Sequence, residues 1–590
     1  MWVLAYFFLH LAIYSVFRVQ FLVWNWSNLQ FQSGSEILSG FWHGLRFDLS
    51  AIAATTVVFF MGLYWLERFR IPKIIWFGAF WLLNIFLILL NCADAELVNF
   101  TARRFTKASF FLLGEGQIIN LIVPYLGIAL FGFALIGIYS FATYALYKKI
   151  KVRLPVYQKT GLTLLTLVLA AILFRGGFQS KPVTVVDGRI YANSLANHMV
   201  LNSTFTLMKS LDKPTVERVH FFEAKEMLGY LNRPTPLTAI PAALPRANVV
   251  IVVLESFSKE YTELRDPEFT PFLNQLGKKG AYFPHFYANS KSSIAGIPAI
   301  LAGVPALMDD PFIDSEFSLN HFTGIGSLLA EQGYHTSFFH GANKNSMHFD
   351  AFSKGAGFQY HFSRQDYPDK QDDDGKWGIY DGPFLNWICE KYSTFPEPFM
   401  SSVFTLSSHQ PYSVPEAERS QHPDGSHPIL KSIHYTDASV EQFMKCAAGK
   451  KWFKNTLFIF TADHAGPSLR PDHSFAAQFE VPLVMYTGNP RVLKGMDTSQ
   501  YAQHIDLLPT ILETIGVEHN AVNHLARSLW HSGRKVIPLY LDGTFELEGL
   551  PEDASDQLRA DTKKAVWQYF NEGMLNDDLY QPVNAALHGR

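Results

Sequence analysis

Apolar residues crowd the first third of the chain and then change rhythm. Five stretches, roughly 2–24, 44–66, 73–92, 118–147 and 160–176, are long and apolar enough to cross a bilayer as helices. The first is too long and too aromatic for a cleavable signal, and it lacks a basic start and a small-residue cleavage site. Basic residues gather in two intervening loops: Arg68, Arg70 and Lys73 in one, Lys148, Lys149, Lys151, Arg153 and Lys159 in the other. The positive-inside bias makes both loops cytoplasmic. Arg103, Arg104 and Lys107 oppose this, but Asp94, Glu96 and Glu115 accompany them. An odd number of spans with a cytoplasmic start places everything after about residue 180 in the periplasm or cell exterior, on a multi-pass cell (inner) membrane protein.

Past the five-span domain (1–180) the pattern becomes mixed. Residues 181–245 carry apolar positions at helical spacing, among them Phe221, Met227 and Leu228, and read as a juxtamembrane connector that ends in a Pro-rich linker, Pro234 to Pro245. From 246 to 545 short apolar runs alternate with helical patterns, the mark of an α/β domain with a mainly parallel sheet. The expected strands are 248–254, 335–339, 400–406, 456–461 and 481–486; the expected helices are 270–279, 293–302, 323–332, 433–448 and 505–515. Residues 546–590 form a charged, helical tail with no evident chemistry.

Composition narrows the function. At 590 residues the chain exceeds one core of ordinary size, and a net charge of −3 gives no reason to expect nucleic acid as a partner. Of three cysteines, Cys92 falls at a membrane boundary, while Cys389 and Cys446 in the outer domain either pair in an oxidising compartment or remain thiols. No zinc-type cysteine spacing exists, so a metal would be held by oxygen and nitrogen.

Three apolar runs stop on reactive side chains. Val249–Leu254 ends at Glu255, and Leu457–Phe460 leads into Thr461-Ala462-Asp463-His464. Parallel sheets build their sites at the carboxyl ends of strands, so these two ends can share a divalent metal; the alternative is a pair of polar strand caps. Phe404-Thr405-Leu406-Ser407-Ser408-His409 is the third, with His409 placed to bind a phosphate or protonate a leaving alkoxide. In Asn289–Ala299, hydroxyls crowd the start of an expected helix, where N–H groups favour a phosphate. Plain N-capping by Ser292 or Ser293 is the other reading. A metal close by would favour a serine alkoxide and turn this segment into a nucleophile site.

Together these segments resemble the alkaline phosphatase and sulfatase superfamily, and more narrowly its membrane branch, the lipoteichoic acid synthases and phosphoglycerol transferases. The shared motifs are Gly44-Leu45-Arg46-Phe47-Asp48, Leu254-Glu255-Ser256, Thr405–Pro411, Ala462-Asp463-His464 and His504-Ile505-Asp506-Leu507-Leu508-Pro509-Thr510. The resemblance implies a five-helix membrane bundle joined to an alkaline phosphatase/sulfatase-like α/β domain. It implies Glu255, Asp463 and His464 as metal ligands with the nucleophile hydroxyl, at Ser293 here where the family usually has threonine, and Ser292 as competitor. It also implies that His340, His409 and Ser468 contact the transferred group. By register, the tryptophan and arginine that hold glycerol phosphate in those synthases are Met347 and Phe349 here, which leaves the head group open. Asp381, in Trp377-Gly378-Ile379-Tyr380-Asp381-Gly382, either shapes the pocket or caps a helix.

The implied activity is metal-dependent transfer of phosphoglycerol from phosphatidylglycerol, through a covalent serine intermediate, to a glycan or polymer hydroxyl, with Mn²⁺ or Mg²⁺, or alternatively Zn²⁺. A phosphoethanolamine transferase acting on lipid A or a glycan is the runner-up, although that branch carries more cysteines. A sulfatase nucleophile sits in a Cys/Ser-x-Pro-x-Arg setting, which Ser293–Ile297 lacks. A non-catalytic membrane scaffold or sensor is the reading of another class.

Overall fold

The computed structural model describes residues 2–577 except 30, 32, 70–71, 102, 108, 110–125, 150–154, 180, 192–193, 214–215, 233–242, 266, 471–473, 519–522 and 534. Residues 118–125 of the fourth expected span, most of the Pro234–Pro245 linker, and Arg70, Glu115, Lys151 and Arg153 thus lie outside the described residues. The chain divides into two compact units. One is Met1–Thr215 with Asp314–Asn320, and the other is Val216–Ile313 with His321–Arg590.

In the first unit, five helices are long and apolar enough to cross a membrane: Trp2–Trp24, Gly34–Phe69, Lys73–Thr101, Leu126–Lys149 and Val156–Phe174. Two outrun the apolar stretches that announced them, because polar turns extend them beyond the hydrocarbon-length core. Buried ion pairs lie inside the unit, as a low-dielectric setting favours. Arg18 makes a two-pronged bond to Asp48 (2.6 and 3.0 Å), and its remaining donors reach Met199 O and Val200 O. Gly44 belongs to this arrangement, since a Cβ there would sit 2.3 Å from the Arg18 guanidinium. Asn202 donates to Asp48 (3.0 Å), and Arg104 pairs with Asp94 (3.1 Å). The Gly44–Asp48 motif therefore has a structural reason: it seats an arginine and ties it to the segment around residue 200. Arg104, one of the three cations that opposed the orientation, is neutralised within the fold.

Among the described residues, the second unit is built on eleven short strands: β1 (Asn248–Leu254), β2 (Ala281–Tyr282), β3 (Phe286–Tyr287), β4 (His335–His340), β5 (Tyr360–Phe362), β6 (Phe399–Phe404), β7 (Thr456–Ala462), β8 (Leu483–Thr487), β9 (Ala502–Gln503), β10 (Ile537–Leu541) and β11 (Thr544–Glu548). Seven form the main sheet in the order β2-β8-β7-β1-β6-β4-β5. The pairs from β7 to β5 are parallel, and β8 runs antiparallel to both β7 and β2. Every residue of β1, β6 and β7 is buried, as befits central strands covered on both faces, and this is why they read as unbroken apolar runs. Helices Pro271–Lys279, Ser293–Ala302, Ile325–Glu331, Ile429–Ala448 and Leu507–Ile515 fall where the periodicity placed helices.

Four features were not anticipated. β8 reverses direction. The β10–β11 hairpin turns at Asp542-Gly543, both with positive φ, a turn signal that the sequence does carry. Helix Asp381–Tyr392 joins Ile429–Ala448 through a Cys389–Cys446 disulfide, which settles the open pairing. The expected connector is shared between the units: Phe221 and Phe222 donate backbone N–H bonds to Gln568 of the last helix, Asp556–Leu575 (2.7 and 2.9 Å).

Candidate active site

Strand register creates the site. Leu254 at the end of β1 faces Ala462 at the end of β7, so Glu255 and Asp463 leave the sheet side by side. On the other flank Val253 faces Phe404 of β6, and the next residue, Thr405, accepts a bond from Glu255 N at 2.9 Å. Phe404 in turn faces His340, the last residue of β4. The carboxyl ends of four neighbouring strands thus deliver Glu255, Asp463, His464, His340 and the His409 loop to one side, while Asp381 comes from the start of a helix.

Ligand atoms of Glu255, Asp463 and His464 lie within 4.8 Å of one another. His464 Nδ1 faces Ala465 O at 3.0 Å. A carbonyl only accepts, so Nδ1 carries the hydrogen and the Nε2 lone pair is turned inward. That nitrogen is 3.3 Å from Asp463 Oδ2, 3.4 Å from Ser293 Oγ and 3.8 Å from Glu255 Oε1. Glu255 accepts from Ser256 Oγ (2.6 Å) and from Ser293 Oγ (3.2 Å). Asp463 Oδ1 accepts from Ser256 N (2.9 Å), while its buried Oδ2 has no hydrogen-bond donor. Burial, and then the Asp463 charge, hold the Glu255 carboxyl well above the usual carboxylate range. An orphaned carboxylate oxygen, a second strained carboxylate, an imidazole lone pair and a hydroxyl fit a divalent cation.

Ser293 opens helix Ser293–Ala302 and is buried; Ser292 is its half-buried N-cap residue and makes no capping bond with its side chain. The geometry therefore separates the two candidates, and it is Ser293 that touches Glu255 and His464. Gly296 permits the approach, because a Cβ there would meet Asp463 O at 2.2 Å.

Two further side chains brace these segments, and sequence reasoning assigned neither a role. Lys291 donates to Ala465 O (3.2 Å) and Gln478 O (2.7 Å), and burial pulls its ammonium down to about 8. His504 donates from Nε2 to Ala462 O (2.8 Å) and accepts at Nδ1 from Asn289 N (3.3 Å). The late motif containing it was visible, but its link to the residue before Asp463 was not.

The His409 loop is fixed from below. Ser408 donates to Glu255 O. Asp381, which is 1% exposed, accepts from Leu406 N (2.8 Å), Ser407 N (3.2 Å) and Thr436 Oγ1 (2.7 Å). Both Asp381 oxygens are thus engaged by the fold, and the residue acts on the site through this loop. His409 donates from Nδ1 to Gln410 O (3.0 Å), leaving Nε2 as its open position. His340 stacks on Phe404, and burial drives its imidazole down to about 4, so it is neutral. Ser468 is exposed and bonds Arg470 O (3.3 Å); among the described residues it makes no bond to the cluster. Phe349 is fully buried against His340 and Phe404, so the position matched to the synthases' arginine is filled by core.

Residues 247–517 match the Sulfatase family model. That stretch is thus similar to sulfatase domains. The chain is similar to the lipoteichoic acid synthase-like protein YvgJ of Bacillus subtilis, 24% identical over 322 residues that cover 50% of this chain and 52% of that protein. It is also similar to lipoteichoic acid synthase 1 of the same organism, 24% identical over 370 residues, covering 58% and 56%. The chain spans about half the length of the curated relatives it matches. A solved protein of the alkaline phosphatase superfamily from Vibrio parahaemolyticus superposes with a TM-score of 0.54 at 24% identity, covering 61% of this chain and 98% of that one. The α/β unit thus has an alkaline phosphatase-like fold, with its cluster at the carboxyl ends of parallel strands.

Proposed function

We propose that this protein is a membrane-anchored phosphotransferase that moves a phosphoglycerol group from phosphatidylglycerol to a glycan or polymer hydroxyl outside the cytoplasm. One observation carries the reading: the buried Ser293 hydroxyl is 3.2 Å from Glu255 and 3.4 Å from the inward lone pair of His464, beside the orphaned Asp463 oxygen. Glu255, Asp463, His464 and Ser293 would hold one cation; Mn²⁺ or Mg²⁺ suits this donor set, and Zn²⁺ is the alternative. Such a cation supplies positive charge that favours the serine alkoxide and the charge on phosphoryl oxygens.

Ser293, already deprotonated, attacks phosphorus through Oγ, the bond to diacylglycerol oxygen breaks, and a protonated His409 gives its Nε2 proton to the leaving diacylglycerol oxygen. His409, now neutral, takes the acceptor's hydroxyl proton as the acceptor oxygen bonds phosphorus and the Ser293 bond breaks. The five apolar helices anchor the chain in the cell membrane, with the N-terminus cytoplasmic and the sulfatase domain outside. The tether then raises the effective concentration of a lipid donor.

The buried Phe349, in the register of a phosphate-clamping arginine, favours a second reading, transfer of phosphoethanolamine. Incubation with head-group-labelled phosphatidylglycerol and phosphatidylethanolamine, followed by mass analysis of the Ser293 peptide, separates the two. Phosphoglycerol on Ser293 is expected, and labelling from the ethanolamine lipid alone reverses the assignment. Ser293→Ala should abolish the adduct while still binding metal, though more weakly. Metal binding with no label from either lipid would make the protein a scaffold or sensor.

A further inference from the structure

The donor half of the reaction proposed above assigns Trp377 no role, yet the residue is held beside His409. Asp374 Oδ1 accepts from the backbone N–H groups of Lys376 (2.8 Å), Trp377 (2.8 Å) and Gly378 (3.0 Å), and Asp374 N donates back to Gly378 O (2.8 Å). Arg364 pairs with Asp373 in the same loop. The indole Nε1 donates to Gln410 O at 2.8 Å, and the ring centroid is 4.1 Å from that of His409. Gln410 O also takes the His409 Nδ1 hydrogen, so one carbonyl orients both rings.

The indole has only one polar atom, and it is engaged. What the half-buried ring offers a ligand is therefore an apolar π surface. Its surroundings are polar. Tyr380 lies three residues on, and its phenol is pushed up by burial and then by Asp374, Asp373 and Glu416. A half-buried π surface set beside His409 suits a ring with one C–H face and hydroxyls that can reach the imidazole. It suits neither an alkyl chain, which brings no hydroxyl to His409, nor an acyclic polyol unit, which has no flat C–H face.

We propose that Trp377 is the acceptor platform, on which a sugar ring stacks so that one of its hydroxyls meets His409 Nε2. This rests on the phosphotransferase reading above. It deepens that reading by naming a sugar as the acceptor class and Trp377 as the residue that selects it. In the step served, the sugar oxygen bonds phosphorus, the Ser293 Oγ–phosphorus bond breaks, and the sugar's proton passes to His409 Nε2.

The test uses the full chain in detergent with labelled phosphatidylglycerol, and two acceptors: methyl β-D-glucopyranoside, which has a ring, and glycerol, which has hydroxyls but no ring. The unmodified protein should prefer the glucoside by about tenfold in kcat/KM. Trp377→Ala should lose that preference mainly through KM, Trp377→Phe should keep most of it, and formation of the Ser293 adduct should change less than about twofold in both. Absence of a preference for the glucoside, or its survival in Trp377→Ala, overturns the proposal. So does a parallel loss of adduct formation in Trp377→Ala, which would put the indole on the donor's head group. Failure to form any Ser293 adduct in the unmodified protein is a different result, and it removes the phosphotransferase reading itself.

Discussion

Glu255→Gln should stabilise the protein when metal is chelated and weaken it, relative to the unmodified chain, when metal is present. The substitution keeps the side chain's shape and deletes one of two buried carboxylates. With ligand atoms inside 4.8 Å of one another, Coulomb's law at an effective dielectric of about 20 puts the repulsion between two full charges at about 3.5 kcal/mol. The bonds from Ser256 N and Ser256 Oγ offset part of this, so a gain on the order of 1–3 kcal/mol is expected in chelator.

The sign depends on pH in a defined way. The folded-state pKa of Glu255 is raised, so below it the native carboxyl stays protonated and the repulsion is absent. The advantage of Glu255→Gln therefore grows as pH rises through that raised value and closes as pH falls. Metal reverses the ranking: a cation at a hundred times its dissociation constant adds about 2.7 kcal/mol to the unmodified protein and much less to the variant. Thermal unfolding of the full chain in detergent at pH 8, first in chelator and then with titrated Mn²⁺, Mg²⁺ or Zn²⁺, should give curves that cross. If the variant is the less stable in chelator, or gains as much from metal, Glu255 and Asp463 are not strained partners awaiting a cation.

Two other expectations follow from buried groups outside the cluster. His340 and His504 are both buried with imidazoles depressed to about 4 and about 3, so in acid the unfolded chain binds protons that the native state refuses. Their contribution is intact above the ordinary value of 6.5 and is lost as pH falls towards 4. By pH 5 the loss is about 2 kcal/mol per site, and His504→Gln should flatten that part of the pH–stability profile; an unchanged slope counts against it. In the first unit, Arg18→Met leaves Asp48 buried without its ion pair and should cost about 3–5 kcal/mol, with Asp48→Leu added on top restoring much of it. Equal damage from the single and double variants would mean that Arg18 acts through packing alone.

The limits of sequence legibility here are set by distance along the chain. β1 and β7 were readable because strands buried on both faces need no partner to betray them: apolarity is continuous, and it stops where the backbone leaves the sheet. Glu255, Asp463 and His464 were found for the same reason, as the first ionisable groups past those stops. Ser293 was ambiguous with Ser292 because one residue of helix phase decides which hydroxyl faces the strand ends. That phase is set by Gly296 closing on Asp463 O, some 170 residues away in sequence. Asp381, Lys291 and His504 act by bonding backbone atoms of distant loops, and a backbone carbonyl has no signature in a sequence. Ser468, a motif position carried over by resemblance, lies on an exposed turn where its hydroxyl bonds Arg470 O, so its expected contact with the transferred group has no counterpart in the cluster's own bonds. Residues proposed to contribute chemistry were thus easier to place in one cluster than residues that position them, since chemistry constrains side-chain type whereas positioning asks only for a donor at the right place. By that logic a ring such as Trp377 is best sought in the loops that positioning residues hold still.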